Sequence, residues 1–463
     1  MSCERTDVEL EVLEVLRPSR AQLDILGKLY KFLERKLREC LGERGFDVEV
    51  EVEGSYAKGT LLSDKWEVDV FVLFKDVSEK WVKERSLDEL RRCVEPLPYL
   101  VKYAEHPYLT VTFMGLEAEI VPAIKVDKPR VSGLSVGRTP FHTRYVKGKL
   151  REKPCLADDV RLLKSFMEGI GVYGAETGIG GFSGYLAELL VIHYGGFLET
   201  LRAALKWKPQ VYIDPEGLGD EGFLRYKYRD SPIIVVDPVD PERNAAASVT
   251  RGKLATFMLA SALYLRKPHK SYFHVYAKRF KPEVLGPAVM VKCSGSYWGK
   301  PKENVMGKLV RVSTTLSSIL EGNGFRVTWS SYASDFVEKA VVVIGLESLE
   351  LPEVEYRRGP TPWDNLEGSI NFLFKRLSEG GIAWVGEEGF LEGVRVRRHR
   401  TPLHVLSSVM DSVRDIMDAR DCVIVECGEG AKCLELSGLN LSSFIGGPQP
   451  AWMRLAYTLL KQS

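Results

Sequence analysis

The sequence predicts a multidomain protein of the α+β class, and three observations carry that prediction. The chain has 463 residues, enough for two to four domains with separate cores. Its hydrophobic pattern switches repeatedly between the helical period and the strand period. Alternating stretches mix with helical ones near the N-terminus and again in the C-terminal part, with a largely helical region between them.

Residues 7–44 place Leu23, Leu26, Leu29, Tyr30, Leu33 and Leu37 at helical spacing. A long helical opening is expected, broken at Pro18 and ending near Gly42 and Gly45. The period then becomes two. VEVEVEG (48–54) and VDVFVLF (68–74) read as strands joined by a short turn and helix, and YLTVTF and LEAEIVPAI as a hairpin turning at Met114-Gly115. Residues 158–205 are helical in pattern, with Gly-rich interruptions at 169–174 and 178–184. A polar, Pro-rich junction, DPVDPERN (237–244), leads into another helix over 253–265. Beyond it, PAVMVKC, KAVVVIGL and DCVIVEC read as strands, and residues 308–321 and 365–377 as helices. With no internal repeat, a linear array of three or four modules is expected.

Composition narrows the function classes. No run of about 18 uncharged apolar residues occurs, so no membrane span is expected. The N-terminal MSCERTDVELEVLEVLRPSR is charged and helical rather than a signal peptide, which points to a cytoplasmic protein. The eight cysteines are scattered from Cys3 to Cys433 without CxxC spacing and read as reduced thiols. Cys422, Cys427 and Cys433 are too loosely spaced for a usual zinc site. A net charge of +1 rules out a general polyanion sponge, so local basic stretches matter more: 144–153, 266–281 and 395–400. In the second, Tyr272, Phe273 and Tyr276 interleave with cations, a pattern that suits single-stranded RNA.

The chemistry concentrates between residues 54 and 119. Alternate strand residues share a face, so Glu67 and Asp69 project together from the start of an apolar strand. Two carboxylates there are costly unless a cation neutralises them, and Mg²⁺ is the natural partner. In front lies Gly54-Ser55-Tyr56-Ala57-Lys58-Gly59-Thr60. Gly54 allows close backbone approach, Ser55 offers a hydroxyl, the following helix offers N–H groups, and Lys58 adds charge. Glu117 and Glu119 share a face on the hairpin strand and can supply a third carboxylate. Together these parts describe a nucleoside triphosphate site.

GSYAKGT followed by EVDVF resembles the signature of the DNA-polymerase-β-like nucleotidyltransferase superfamily. YAEHPY (103–108), GRTPFH (137–142), RLLKSFM (161–167), GVYGAE (171–176), GFSGYLAELL (181–190), VVDPVDPERNAAA (235–247) and RRGPTPWD (357–364) narrow the likeness to the archaeal-type, class I CCA-adding enzymes. The resemblance implies a polymerase-β-like catalytic head with a mixed sheet over residues 1–150. It implies a helical neck with a base-recognition segment over 151–265, and an α+β body and tail over 266–463 that binds the tRNA acceptor stem. Glu67, Asp69 and Glu119 match the family's catalytic, metal-binding carboxylates. Gly54, Ser55, Lys58, His142, Lys164 and Tyr173 match positions around the nucleotide, and Arg243 matches the arginine that reads the incoming base.

The implied reaction adds C, C and A to the tRNA 3′ end from CTP and ATP without a template, with repair of damaged ends. It runs by two-metal, in-line attack of the RNA 3′-hydroxyl on the α-phosphate. Lys58, Lys164 and His142 would neutralise the triphosphate, and relatives suggest a homodimer. Two positions depart from the family: Glu119 where Asp is usual, and Gly180 where relatives carry a basic residue. The rival readings are a poly(A) polymerase, an oligoadenylate synthase, or a non-catalytic RNA-binding protein on the same fold.

Overall fold

The structure is a computed structural model and describes residues 3–103, 107–127, 135–176, 178–277, 285–439 and 453. The chain divides near residue 280 into two units.

The first unit opens with α1 (Asp7–Leu16) and α2 (Arg20–Glu43), separated at Pro18 as the sequence predicts. Ser19 caps α2, its side chain accepting the N–H of Gln22. Next come β1 (Val48–Glu53), the single turn α3 (Gly54–Lys58) and β2 (Glu67–Phe74). Then α4 (Glu79–Glu84), α5 (Ser86–Val94), β3 (Tyr99–Tyr103), β4 (Pro107–Phe113) and β5 (Leu116–Ile124) complete a five-stranded sheet. Its order is β1-β2-β5-β4-β3, with β2 and β5 parallel and the other pairs antiparallel. The β4–β5 hairpin turns at Met114 and Gly115, both with positive φ, as the sequence reading placed it. Helices α2 and α5 cover one face, where Leu26, Leu29, Leu33, Val68, Val70, Val72 and Ile120 form one apolar cluster. The other face carries the acidic residues.

A second core follows, built from α6 (Thr139–Glu152), α7 (Leu156–Gly169), α8 (Gly184–Tyr194), α9 (Phe197–Ala204) and later α11 (Arg251–Arg266). Between these last two lie β6 (Val211–Ile213), α10 (Glu221–Lys227) and β7 (Ile233–Val235), the strands pairing in parallel. Helix α1 joins this core through Val12, Leu13 and Leu16. The aromatics of the 266–281 stretch behave differently from expectation. Tyr272 and Phe273 are buried against Phe166 and Tyr264, so they are core anchors and not stacking platforms for bases. Residues 278–281 of that stretch lie outside the described residues.

In the second unit, a four-stranded sheet has the order β14-β8-β10-β9. Its strands are β8 (Ala288–Gly295), β9 (Val327–Ser334), β10 (Lys339–Leu346) and β14 (Ala419–Cys427). It packs against α12 (Lys302–Gly322), α14 (Pro402–Ser407) and α15 (Met410–Met417), with α16 (Gly430–Leu436) on its other face. A smaller sheet, β11-β13-β12, is made of β11 (Val354–Arg358), β12 (Ile382–Val385) and β13 (Leu391–Val396). Helix α13 (Leu366–Ser378) accompanies it.

All eight cysteines are paired, which corrects the expectation of reduced thiols. Cys3 joins Cys155, Cys40 on α2 joins Cys93 on α5, Cys293 joins Cys422, and Cys427 joins Cys433. Cys293 and Cys422 are register partners on β8 and β14. Three of these pairs span more than fifty residues, so spacing along the chain could not reveal them; the fold makes them neighbours. Among the described residues no helix is long and apolar enough to cross a membrane.

Candidate active site

The carboxylates sit where the strand period puts them. In the parallel β2–β5 ladder Asp69 lies opposite Glu119, and Glu67 opposite Glu117. Residues paired this way share a face, so Glu67, Asp69 and Glu119 line the side away from α2 and α5. Burial pushes the Asp69 carboxyl up to about 7, and the charges of Glu119 and Glu67 add to the effect. Burial also raises Glu67, again helped by Glu119. Mutual repulsion of buried carboxylates is the condition that a bound cation relieves. Glu119 meanwhile receives Lys102 Nζ at 3.3 Å and the Tyr108 hydroxyl at 3.5 Å. Among the described residues no three of these groups converge on one point.

Gly54 is required by this arrangement. Its φ is +67°, and a Cβ there would lie 1.6 Å from Asp69 Oδ2. The loop passes so close to the carboxylate that no side chain fits. Ser55 follows on α3, and its carbonyl accepts the N–H of Thr60 at 2.9 Å, folding the loop back.

A second group assembles beside the acids. Lys58 Nζ donates to Glu188 Oε2 at 2.6 Å, and Lys164 Nζ to Glu188 Oε1 at 2.9 Å and to the Thr60 hydroxyl at 3.1 Å. Lys164 and Glu188 are buried. Burial alone would raise Glu188, but Lys164 and then Lys58 outweigh it and hold the carboxyl at about 2. Burial draws Lys164 below the usual lysine range. Both lysines act electrostatically on Asp69, and the triad keeps one net positive charge next to the acidic face. Tyr173 stands against the same helix: a Cβ on Gly184 would lie 2.8 Å from its hydroxyl. Burial, then Glu188 and more distant carboxylates including Glu67, push that hydroxyl's pKa up.

The third group centres on Asp237, whose side chain has no exposed surface. His142 Nε2, Arg243 Nη1 and the Tyr185 hydroxyl each lie 2.9 Å from its carboxylate, and the N–H of Val239 donates at 3.0 Å. Burial opposes ionisation of Asp237, but His142 and the other donors overcome it and keep the carboxyl at about 2. Burial lowers His142, so at neutral pH the ring is neutral and must carry its proton on Nε2. Tyr185 stacks on His142 at 4.1 Å, and Lys58 lies 5.8 Å from the Tyr185 ring, which links this group to the second. The strand end that carries Asp237 is pinned by Asn244. Its Oδ1 accepts the N–H groups of Val235 and Ala246, and its Nδ2 donates to the Ile233 carbonyl.

The structure therefore brings Gly54, Lys58, Glu67, Asp69, Glu119, His142, Lys164, Tyr173 and Arg243 into one connected region. Lys164 is buried, and the Arg243 side chain pairs with Asp237. Sequence reasoning missed Glu188 and Asp237. The signal was present: Glu188 lies within an apolar run and Asp237 closes one, and a buried acid needs a cation or donors. The departure at Gly180 has a structural reason. Its φ is +60°, its carbonyl accepts the N–H of Thr250, and a Cβ would press to 2.9 Å from the Thr250 methyl.

Three family models match the chain: a nucleotidyltransferase domain over residues 34–142, the second domain of tRNA nucleotidyltransferase over 158–274, and the C-terminal domain of CCA-adding enzyme over 301–416. Fold and site thus define an α+β, multidomain nucleotidyltransferase. A CCA-adding enzyme of Aeropyrum pernix is 47% identical over 393 residues, 84% of either chain. Those of Sulfurisphaera tokodaii and Saccharolobus solfataricus are 38% and 34% identical, over 85% and 84% of this chain and 89% of each relative. The chain belongs to the archaeal-type CCA-adding enzymes, the tRNA nucleotidyltransferases.

Proposed function

We propose that the chain adds C, C and A in turn to the 3′ end of tRNA, using CTP and ATP and releasing pyrophosphate. It would restore damaged ends by the same chemistry. The observation that carries this reading is the carboxylate row: Asp69 opposite Glu119, with Glu67 on the same face and Gly54 against the Asp69 carboxylate. The donor set fits a hard divalent cation such as Mg²⁺, because three carboxylates share one face and burial and mutual repulsion raise Glu67 and Asp69, which a cation would relieve. Glu67, Asp69 and Glu119 would hold it, and when bound it supplies activation of the RNA hydroxyl and neutralisation of the departing phosphates.

The chain's own residues do the rest. The net positive charge of Lys58, Glu188 and Lys164 attracts the triphosphate, and Ser55 and Tyr173 border it. His142, held neutral, contributes a hydrogen bond to the sugar rather than charge: with its proton on Nε2, Nδ1 is the acceptor. Arg243 uses one donor on Asp237 and turns the remainder of its fork to the incoming base. Asp237 thereby sets the sugar and base contacts together. Positioning of this kind supplies much of the barrier reduction in phosphoryl chemistry. Glu119 reaches one methylene further than the usual Asp, which compensates for its engagement with Lys102.

Residues 1–150 would form the catalytic head, 151–265 the neck and 266–463 the body and tail on the acceptor stem. The cytoplasm, where tRNA is, is the compartment we assign. The test is incorporation of labelled CTP and ATP into tRNA lacking its 3′ end, with Mg²⁺. Incorporation that disappears in Asp69→Ala supports the proposal, and none by the unaltered protein defeats it.

A further inference from the structure

Between the nucleotide loop and the carboxylate strand runs a strap that is neither helix nor strand, residues 59–66. It begins at Gly59, which ends α3 with a φ of +75°, and it delivers the chain to Glu67. Helix α3 has five residues, too few to hold a helical turn in water by itself. Ser55 and Lys58 therefore keep their places only if contacts from outside α3 fix the strap. The strap's carbonyls show where those contacts come from. Gln22 Nε2 of α2 donates to the Ser63 and Lys65 carbonyls at 2.9 and 2.7 Å. Nearer the nucleotide loop the same task falls to Arg161 of α7.

Arg161 Nη2 donates to the Gly59 carbonyl at 2.6 Å, and its Nε to the Leu61 carbonyl at 2.8 Å. These two carbonyls flank Thr60. Thr60 is buried, and its hydroxyl donates to Glu188 Oε1 at 2.8 Å while accepting Lys164 Nζ. Arg161 thus grips the backbone on either side of a residue that enters the lysine–glutamate group. On α7 it stands three positions before Lys164, so the two share a helix face and meet the same part of the strap. Its third arm, Nη1, donates to Asp158 at 2.9 Å, and Asp158 is in turn paired with Arg17 at 2.6 Å. The side chain is only 12% exposed, and its planar fork spans two acceptors that a single ammonium cannot hold together.

We propose that Arg161 is a positioning residue for the nucleotide: by clamping the strap at Gly59 and Leu61 it sets where Ser55, Lys58 and Thr60 stand against the triphosphate. The inference rests on the nucleotide-addition reading above, which supplies the triphosphate. The clamp runs from α7, which carries Lys164, to the segment that leads into β2, which carries Glu67 and Asp69. Cations and carboxylates are thereby kept in one frame, and a displacement of about 1 Å in such a frame costs about 10²-fold in rate.

The test uses the full chain at a temperature well below the melting point of each variant. CTP affinity is measured by titration calorimetry with Mg²⁺, tRNA affinity by anisotropy, and C addition by its rate. Arg161→Lys keeps the ion pair with Asp158 but gives up the fork. It should raise the Kd for CTP about tenfold, as for one lost charge-assisted hydrogen bond, and lower kcat by about 10²-fold. The Kd for tRNA should stay unchanged. Thr60→Val removes the hydroxyl that the clamp places, and in the double variant it should add less than about twofold, because both changes act through the same strap. CTP affinity within about twofold of the parent in Arg161→Lys would overturn the proposal. So would effects that multiply in the double variant, or an equal loss of CTP and tRNA affinity, which marks a general loss of structure. If the unaltered protein binds CTP but adds no nucleotide, the addition reading fails and the CTP affinities still decide the role of Arg161.

Discussion

The buried Lys58–Glu188–Lys164 triad makes a sharp prediction. Glu188→Gln keeps the side chain's size and a hydrogen bond to Thr60 but removes the one negative charge between two lysines. Lys164 and Lys58 hold this carboxyl at about 2 against the usual 4.5, a stabilisation on the order of a few kcal/mol. Burial lowers Lys164 at the same time, so part of that gain is lost and the net is smaller. Removing one partner of a buried ion pair typically costs about 3–5 kcal/mol. We expect a loss of about 3 kcal/mol at pH 7, seen as a fall in melting temperature of roughly 6–12 °C for a unit of this size. The sign with pH follows. A depressed carboxyl stabilises the fold above its unfolded value of 4.5 and ceases to do so as the pH falls through about 2. The gap between the two proteins should therefore close across that window. Glu188→Gln/Lys164→Met should regain stability but not activity, because it removes a stranded ammonium. A Glu188→Gln protein within about 0.5 kcal/mol of the parent at pH 7 would refute the reasoning.

Three further outcomes are expected. Asp237→Asn, which weakens the anchor of both His142 and Arg243, should lower kcat/KM for CTP and ATP alike by about 10²-fold, with melting temperature changed far less than activity; an effect on one nucleotide alone would contradict the shared-anchor account. Gly54→Ala should abolish incorporation while leaving the far-ultraviolet spectrum intact, since the methyl would displace the Asp69 carboxylate, and retained activity would show that the loop can move away. Thiol titration of the denatured, unreduced protein should find no reactive thiol, and reduction should lower the free energy of unfolding by about 2–4 kcal/mol for a long-range bridge; eight reactive thiols before reduction would restore the sequence-based expectation.

Much of the catalytic sheet was legible because local rules fix it. Alternation placed Glu67 and Asp69 on one face and Glu117 and Glu119 on one face of the hairpin strand, but the parallel β2–β5 pairing that puts Glu119 opposite Asp69 has no local signal. The helical neck was legible from spacing, though not what its buried polar residues do. Lys164 looks like a surface lysine until α8 brings Glu188 against it. The Arg243 side chain pairs with Asp237, because Asn244 folds the junction back on its strand. The cysteine pairs and the core positions of Tyr272 and Phe273 depend on contacts between residues far apart along the chain. Periodicity carries no information on such contacts. The basic run 395–400 was visible as charge, but only the fold shows Arg395 paired with Glu355 and Glu379.

The central claim is ordered, untemplated addition at a tRNA 3′ end. Single-nucleotide resolution of products made from a tRNA lacking CCA tests it most directly. With CTP alone the account predicts two additions and a stop, with ATP alone no addition, and with both exactly one A after two Cs. A long A tail, or unlimited C addition with CTP alone, would contradict it.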